Sequence, residues 1–326
     1  MTTNPKTRGG GPAHARPAAR RTNGEGLFKY VATAAGIVLL GIMAAIAVFL
    51  VSEAIPALRA DKGDFFTELT WDPDGSQVFG IGALAFGTVL SSAIALVLAT
   101  PIAVGVALFI SHYAPRRLAG PLGWLIDLLA AVPSVIYGLW GLVFLVPLLS
   151  EPSRWLNEHL GWVPVFAGEG AIGGKTMLAG GVVLAIMILP IIAAISREVF
   201  LQSPKSNEEA ALALGATRWE MIRMSVLPFG RPGVISAAML GLGRAMGETI
   251  AVALIFPATF DITFQILTPH GNSIAANIAN SFGDAAPMGR GALIASGLVL
   301  FVITLLVNMG ARLIINRRKE FARAGA

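Results

Sequence analysis

The chain alternates between long apolar stretches and short charged connections. Six stretches, at about 28–55, 79–111, 122–149, 176–195, 234–257 and 292–315, are almost free of charge. Each offers the roughly 20 residues that a helix needs to cross the hydrocarbon core of a bilayer. The pattern predicts an all-α integral membrane protein with six transmembrane helices. Pro101 falls inside the second stretch and Pro133 inside the third, so both spans are expected to bend or break there.

The connections carry an independent signal. Lys and Arg number 18 in the N-tail (with Lys29), the loop at 112–121, the loop at 196–233 and the C-tail from Arg312. The other three connections hold 5, namely Arg59, Lys62, Arg154, Lys175 and Arg290. Such an excess marks the cytoplasmic side, so both termini are placed inside the cell. One span more or fewer would scramble the alternation. The expected organisation is a basic disordered tail at 1–27, a membrane domain at 28–315 and a second basic tail at 316–326. The first external loop is acidic, with Asp61, Asp64, Glu68, Asp72 and Asp74 against Arg59 and Lys62. A solvated surface and a docking site for an extracytoplasmic partner both fit it.

Composition narrows the chemistry. Apolar residues make up 55% and charged ones 13% of the chain, where a soluble domain carries about a quarter charged residues. The net charge of +5 sits in tails and inner loops, which implies membrane lipid and no nucleic acid as a partner. There is no cysteine, and His14, His112, His159 and His270 lack metal-ligand spacing. The segment Gly168–Thr176 ends like a phosphate-binding loop, but Glu169 stands where its first glycine belongs and the segment is external. No catalytic, cofactor-binding or metal residue is therefore expected.

The inner loop at 196–233 is the most informative connection. Ser206 with Glu209, and Thr217 with Glu220, each have the spacing of a capping box, with Gly215 between them at a helix end. Pro228 and Pro232 are expected to stop the second helix. The result is a bent pair of short helices tethered at both ends, suited to docking a cytosolic partner. Glu209-Ala210-Ala211, then Gly215, then Leu227-Pro228 resembles the EAA loop of ATP-binding-cassette importer permeases; Ser225 departs from the usual isoleucine. Ala131–Gly141 and Gly241–Thr249 are similar to the third- and fifth-span signatures of phosphate importer permeases, nearer to the PstC-like than to the PstA-like subunit.

The resemblance implies the fold of type I importer permeases (MetI-like). It implies a coupling role for Glu209, Ala210, Ala211, Gly215, Leu227 and Pro228 at a PstB-like ATPase dimer. ATP and its magnesium would be bound by that ATPase, with no cofactor in this chain. A second, PstA-like permease and an extracytoplasmic PstS-like phosphate-binding protein complete the implied partners. An importer of another oxyanion, such as sulfate or molybdate, and a stand-alone secondary transporter are the alternative readings.

Arg244 and Glu248 lie inside the otherwise apolar fifth stretch. Ionisable residues at such depth face a bundle interior or an aqueous path. On a continuous helix their spacing puts them about 40° apart, close enough to neutralise each other. They either pair to specify packing or line the substrate pathway. The planar fork of an arginine matches a tetrahedral oxyanion, and the glutamate would keep that contact weak. The family resemblance also points to these two residues. Small residues at 237, 241 and 245, and at 243, 247 and 251, are expected to let neighbouring helices approach closely. Asp127 is expected to pair with a basic residue of the inner loops.

Overall fold

The computed structural model describes residues 23–168 and 172–324. Most of the expected basic tail, residues 1–22, lies outside the described residues. Among the described residues six helices are long and apolar enough to cross a membrane. The first, α1 (Asn23–Ala60), belongs to two compact units, one ending at Phe49 and the other starting at Leu50. In the first unit apolar residues face every side of the helix, as a lipid environment allows.

In the second unit the centre is built by α2 (Gly82–Leu108), α6 (Met177–Leu201) and α9 (Leu227–Met246). Ala95, Ala99, Ala103 and Ala107 form a buried stripe along α2 at four-residue spacing, which brings its backbone close to its neighbours. On α9 the stripe Ala237, Gly241 and Ala245 is buried in the same way, whereas Gly247 is exposed. Gly230 packs against Phe200, Gly233 against Val199, and Gly241 against Ile188 and Ile192. The helices α6 and α9 therefore run antiparallel, and Gly241 stands near the midpoint of α6.

The third and fifth spans differ from unbroken helices. Residues 116–160 divide into α3 (Arg116–Ala130), α4 (Ser134–Trp140) and α5 (Val146–Leu160). The membrane-length helix is Ser134–Leu160, so it begins after Pro133 and extends past 149. Pro133 forces its predecessor out of helical geometry, and the chain restarts at Ser134. The fifth span breaks at residues 247–249, after which α10 (Ile250–Ile255) begins. An irregular segment then leads to the short α11 (Ile274–Ser281), and α12 (Pro287–Ala324) forms the last span. The backbone of α12 is helical through most of the expected C-tail.

Three π-turns, Phe109–Tyr113, Gly141–Leu145 and Ile222–Val226, share one local cause. In each, the next residue (Ala114, Val146 or Leu227) donates its N–H to the carbonyl five residues back. The residue after that is Pro115, Pro147 or Pro228. A proline lacks an N–H and crowds the preceding turn, and a widened turn relieves the crowding; the helix continues past Pro147 and Pro228 and ends before Pro115.

The external loop after α1 forms a small ribbon, β1 (Trp71–Asp72) paired antiparallel with β2 (Val78–Phe79). All five of its acids accept backbone N–H groups. Asp61 accepts from Gly63 at 3.0 Å and Asp64 from Phe66 at 2.9 Å. Glu68 accepts from Leu69 and Thr70, and Asp72 from Gly75 and Ser76. Asp74 reaches furthest, accepting from Ala286 at 3.0 Å and Gly289 at 2.7 Å where α12 starts. The hydrogen bonds hold the Glu68 and Asp72 carboxyls below their ordinary range. Backbone N–H groups therefore take up much of the acidity that the sequence shows here.

Candidate functional site: a charged break at half-depth and an inner helical loop

The break in the fifth span separates the two charges that helical spacing would have paired. The α9 helix ends on a glycine-rich run, and the Gly247 N–H closes it on the Gly243 carbonyl at 3.2 Å. Glycine interrupts helices readily because its backbone loses most freedom in them. Beyond that point Glu248 turns inward to 7% exposure, and its Oε1 accepts the Ala251 N–H at 3.3 Å. It thus caps the start of α10, at which the positive end of the peptide dipoles favours a carboxylate.

Arg244 remains on the last turn of α9 and is exposed. Among the described residues no carboxylate lies within 4 Å of it, so the Arg244–Glu248 ion pair, one of the two readings of their spacing, does not form. One helical turn beyond Gly241, it stands near half-depth of the bundle. An unpaired arginine facing hydrocarbon at that depth costs at least about 3 kcal/mol. Such a cost favours protein or water around it over lipid.

The third span approaches this place through α4. A Cβ added at Gly138 would lie 2.7 Å from the Ala251 Cα, so only a glycine permits this approach of α4 to α10. One residue earlier, the Tyr137 hydroxyl donates to the Leu129 carbonyl at 2.9 Å, closing the gap between α3 and α4. Tyr137 also packs against the buried cluster that includes Ala245, the neighbour of Arg244 in sequence. The spacing of charges along the sequence pointed to Arg244 and Glu248. It gave no signal for Tyr137, because that residue joins the pair only through the two breaks.

At the inner end of the bundle the loop of interest forms α7 (Lys205–Ala213) and α8 (Arg218–Met221). The Thr217–Glu220 capping box is complete. The one expected at Ser206 and Glu209 is absent, because Pro204 starts α7 and places Ser206 inside the helix. Gly215 has φ +89°, the left-handed conformation expected of it. Pro228 and Pro232 do not stop the second helix. The π-turn at 222–226 carries α8 into α9, so one side of the loop is rigidly continuous with the span that bears Arg244.

Ala211 and Leu227 pack against a buried cluster of Ala107, Leu108, Phe200, Met221, Ile222 and Val226. Glu209, Ala210, Gly215 and Pro228 are exposed, and Leu214 is 90% exposed. A further tie runs from Glu208 to His112, at 3.5 Å between Oε1 and Nε2, linking α7 to the inner end of the second span. Sequence spacing gave no sign of it, since 96 positions separate the two residues. Arg197, near the end of α6, lies 3.5 Å from Asp127, and its guanidinium occupies the space that a side chain at Gly123 would need. At the opposite end, Gly173 and Gly174 are left-handed and Thr176 caps α6 through the Ala179 N–H at 3.2 Å. Residues 169–171 of the loop-like segment lie outside the described residues.

Broken spans meeting beside a charge at half-depth, over a pair of short helices at the inner end, define a membrane permease domain. The model of the family described as "Binding-protein-dependent transport system inner membrane component" matches residues 99–320, and the chain belongs to that family. It is 49% identical over 304 residues to the phosphate transport system permease protein PstC 2 of Mycobacterium tuberculosis, which covers 92% of this chain and 93% of that protein. It is 41% identical over 298 residues to the phosphate transport system permease protein PstC of Xylella fastidiosa, covering 90% and 91%. A bacterial importer of the acidic polysaccharide alginate shares the fold, with a TM-score of 0.54 and 17% identity over 88% of this chain and 99% of that one. An inward-facing MetNI methionine transporter does so with a TM-score of 0.50 and 16% identity, over 72% and 95%. The fold is thus the MetI-like fold of importer permeases, and the chain is an inner-membrane component of a transport system.

Proposed function

We propose that this chain is one of two membrane-spanning subunits of an ATP-driven phosphate importer and forms half of the translocation pathway. The observation that carries the substrate is the 49% identity to a phosphate transport permease over nine-tenths of the chain. The geometry of Arg244 supports it. An exposed guanidinium without a carboxylate offers its donors to a passing oxyanion, and low polarity around it strengthens the contact. Glu248, buried and engaged with the Ala251 N–H, supplies nearby negative charge that favours release.

The partners follow from this role. A PstA-like permease faces Arg244, and a PstS-like protein delivers phosphate from outside. A PstB-like ATPase dimer binds ATP and magnesium; this chain contributes nothing to hydrolysis. The exposed side of α7, with Glu209, Ala210, Leu214 and Gly215, docks on that dimer. Closure of the dimer on ATP pushes α7. Ala211, Leu227 and the Glu208–His112 tie pass the push to α2, α6 and α9, which rock Arg244 between outward and inward access.

The test is uptake of labelled phosphate by the reconstituted complex. Arg244→Gln is expected to lower uptake about tenfold or more, the size of a lost hydrogen bond to a charged group. ATP-driven uptake of sulfate in place of phosphate would assign the chain to a different oxyanion importer.

A further inference from the structure

Two features of Tyr137 are unusual for an aromatic residue in a membrane helix. Its hydroxyl spans the gap between two helices, and the carbonyl it bonds does not depend on it. The Leu129 carbonyl also receives the Val132 N–H at 3.3 Å. Releasing the hydroxyl therefore leaves no orphaned backbone acceptor, and the bond is cheap to exchange. A tyrosine hydroxyl in an apolar setting always seeks a partner, so it re-bonds to whatever acceptor comes within reach.

The candidate acceptor is set by the surroundings. Tyr137 precedes Gly138, which touches Ala251, whose N–H is held by Glu248. It packs partly buried against two clusters, one that includes Ala251 and Ile255 and one that includes Ala245. Ala131 and Pro133, in the gap itself, are exposed. The hydroxyl thus stands at an opening, on the helix that meets α10 just beyond Glu248.

We propose that Tyr137 is a substrate contact of the pathway, a donor that exchanges the Leu129 carbonyl for an oxygen of phosphate as the anion reaches Arg244. This rests on the reading of Arg244 as the anion contact. The exchange has a second consequence. When the hydroxyl leaves Leu129 the gap between α3 and α4 is no longer bridged, so arrival of the anion frees the third span to bend. No bond is made or broken beyond these hydrogen bonds, and no proton leaves the phenol.

The test uses the complete reconstituted complex and three variants, Tyr137→Phe, Arg244→Gln and the double variant. Tyr137→Phe removes one oxygen and leaves Leu129 its backbone partner, so the melting temperature of the complex is expected to stay unchanged. Phosphate uptake is expected to fall about tenfold, with basal ATP hydrolysis retained. Because both residues act on one anion, the double variant should transport no more slowly than Arg244→Gln alone. Wild-type uptake in Tyr137→Phe, or losses that multiply in the double variant, would overturn the proposal while leaving Arg244 in its role. A lowered melting temperature with a proportional loss would reassign Tyr137 to structure. If Arg244→Gln itself transports normally, the anion contact is elsewhere and both readings fall.

Discussion

Arg244 and Glu248 are four residues apart, yet they have opposite surroundings: one is exposed and unpaired, the other buried and hydrogen-bonded. The sequence made both visible, since any charge in an apolar stretch stands out. It concealed their separation, because four-residue spacing implies pairing only where a helix continues. Gly241, Gly243 and Gly247 make the continuation fragile, and α10 gains a cap once it fails. This difference yields a prediction. Glu248→Gln keeps an acceptor for the Ala251 N–H and should leave the complex as stable as wild type, while uptake changes. Glu248→Ala also removes the cap and should cost about 1 kcal/mol, read as a lower melting temperature. Asp74 is a second residue whose role was hidden, because its partners Ala286 and Gly289 lie more than two hundred positions away. Asp74→Ala should destabilise the start of α12 by about 1–2 kcal/mol, seen as faster amide exchange there.

Among the elements, the inner loop was the most legible and the spans beside prolines the least. Thr217, Glu220 and Gly215 act through bonds three or four residues long, so their pattern is complete in the sequence. Ser206 had the same pattern, but Pro204 takes the N-cap position and leaves Ser206 inside the helix. Prolines were read as stops or kinks. Pro228 instead follows a π-turn that leaves α8 continuous with α9, the lever of the proposed coupling. Thr217→Ala should weaken the start of that lever by about 1 kcal/mol. The expected readout is more ATP hydrolysed per phosphate imported, with the ATPase still bound. Leu214→Asp, on the exposed side, should instead release the ATPase from the complex on purification. The external ribbon responds to pH with a definite sign. Its Glu68 and Asp72 carboxyls are held below their ordinary range, so their bonds persist at neutral pH and through the ordinary carboxylate range. They are lost only as pH falls through the depressed values. Amide protection of Thr70 and Ser76 should follow that course.

At the scale of the molecule, six spans and their charge asymmetry were written in the hydropathy and in the placement of Lys and Arg. What could not be read was which stretches break, since a broken span and a whole one have the same apolar content. The break in the fifth span falls beside Arg244, the residue proposed to meet the substrate. The inner loop, anchored to the second, fourth and fifth spans, ties that place to the cytoplasmic surface. The most direct measurement is ATP-dependent uptake of labelled phosphate by proteoliposomes holding the complete complex, compared with the same complex carrying Arg244→Gln. Uptake should require ATP and the binding protein, and fall about tenfold or more in the variant while ATP hydrolysis continues. Undiminished phosphate uptake through Arg244→Gln, or uptake that needs no ATPase, would contradict a pathway built on this chain's charged break.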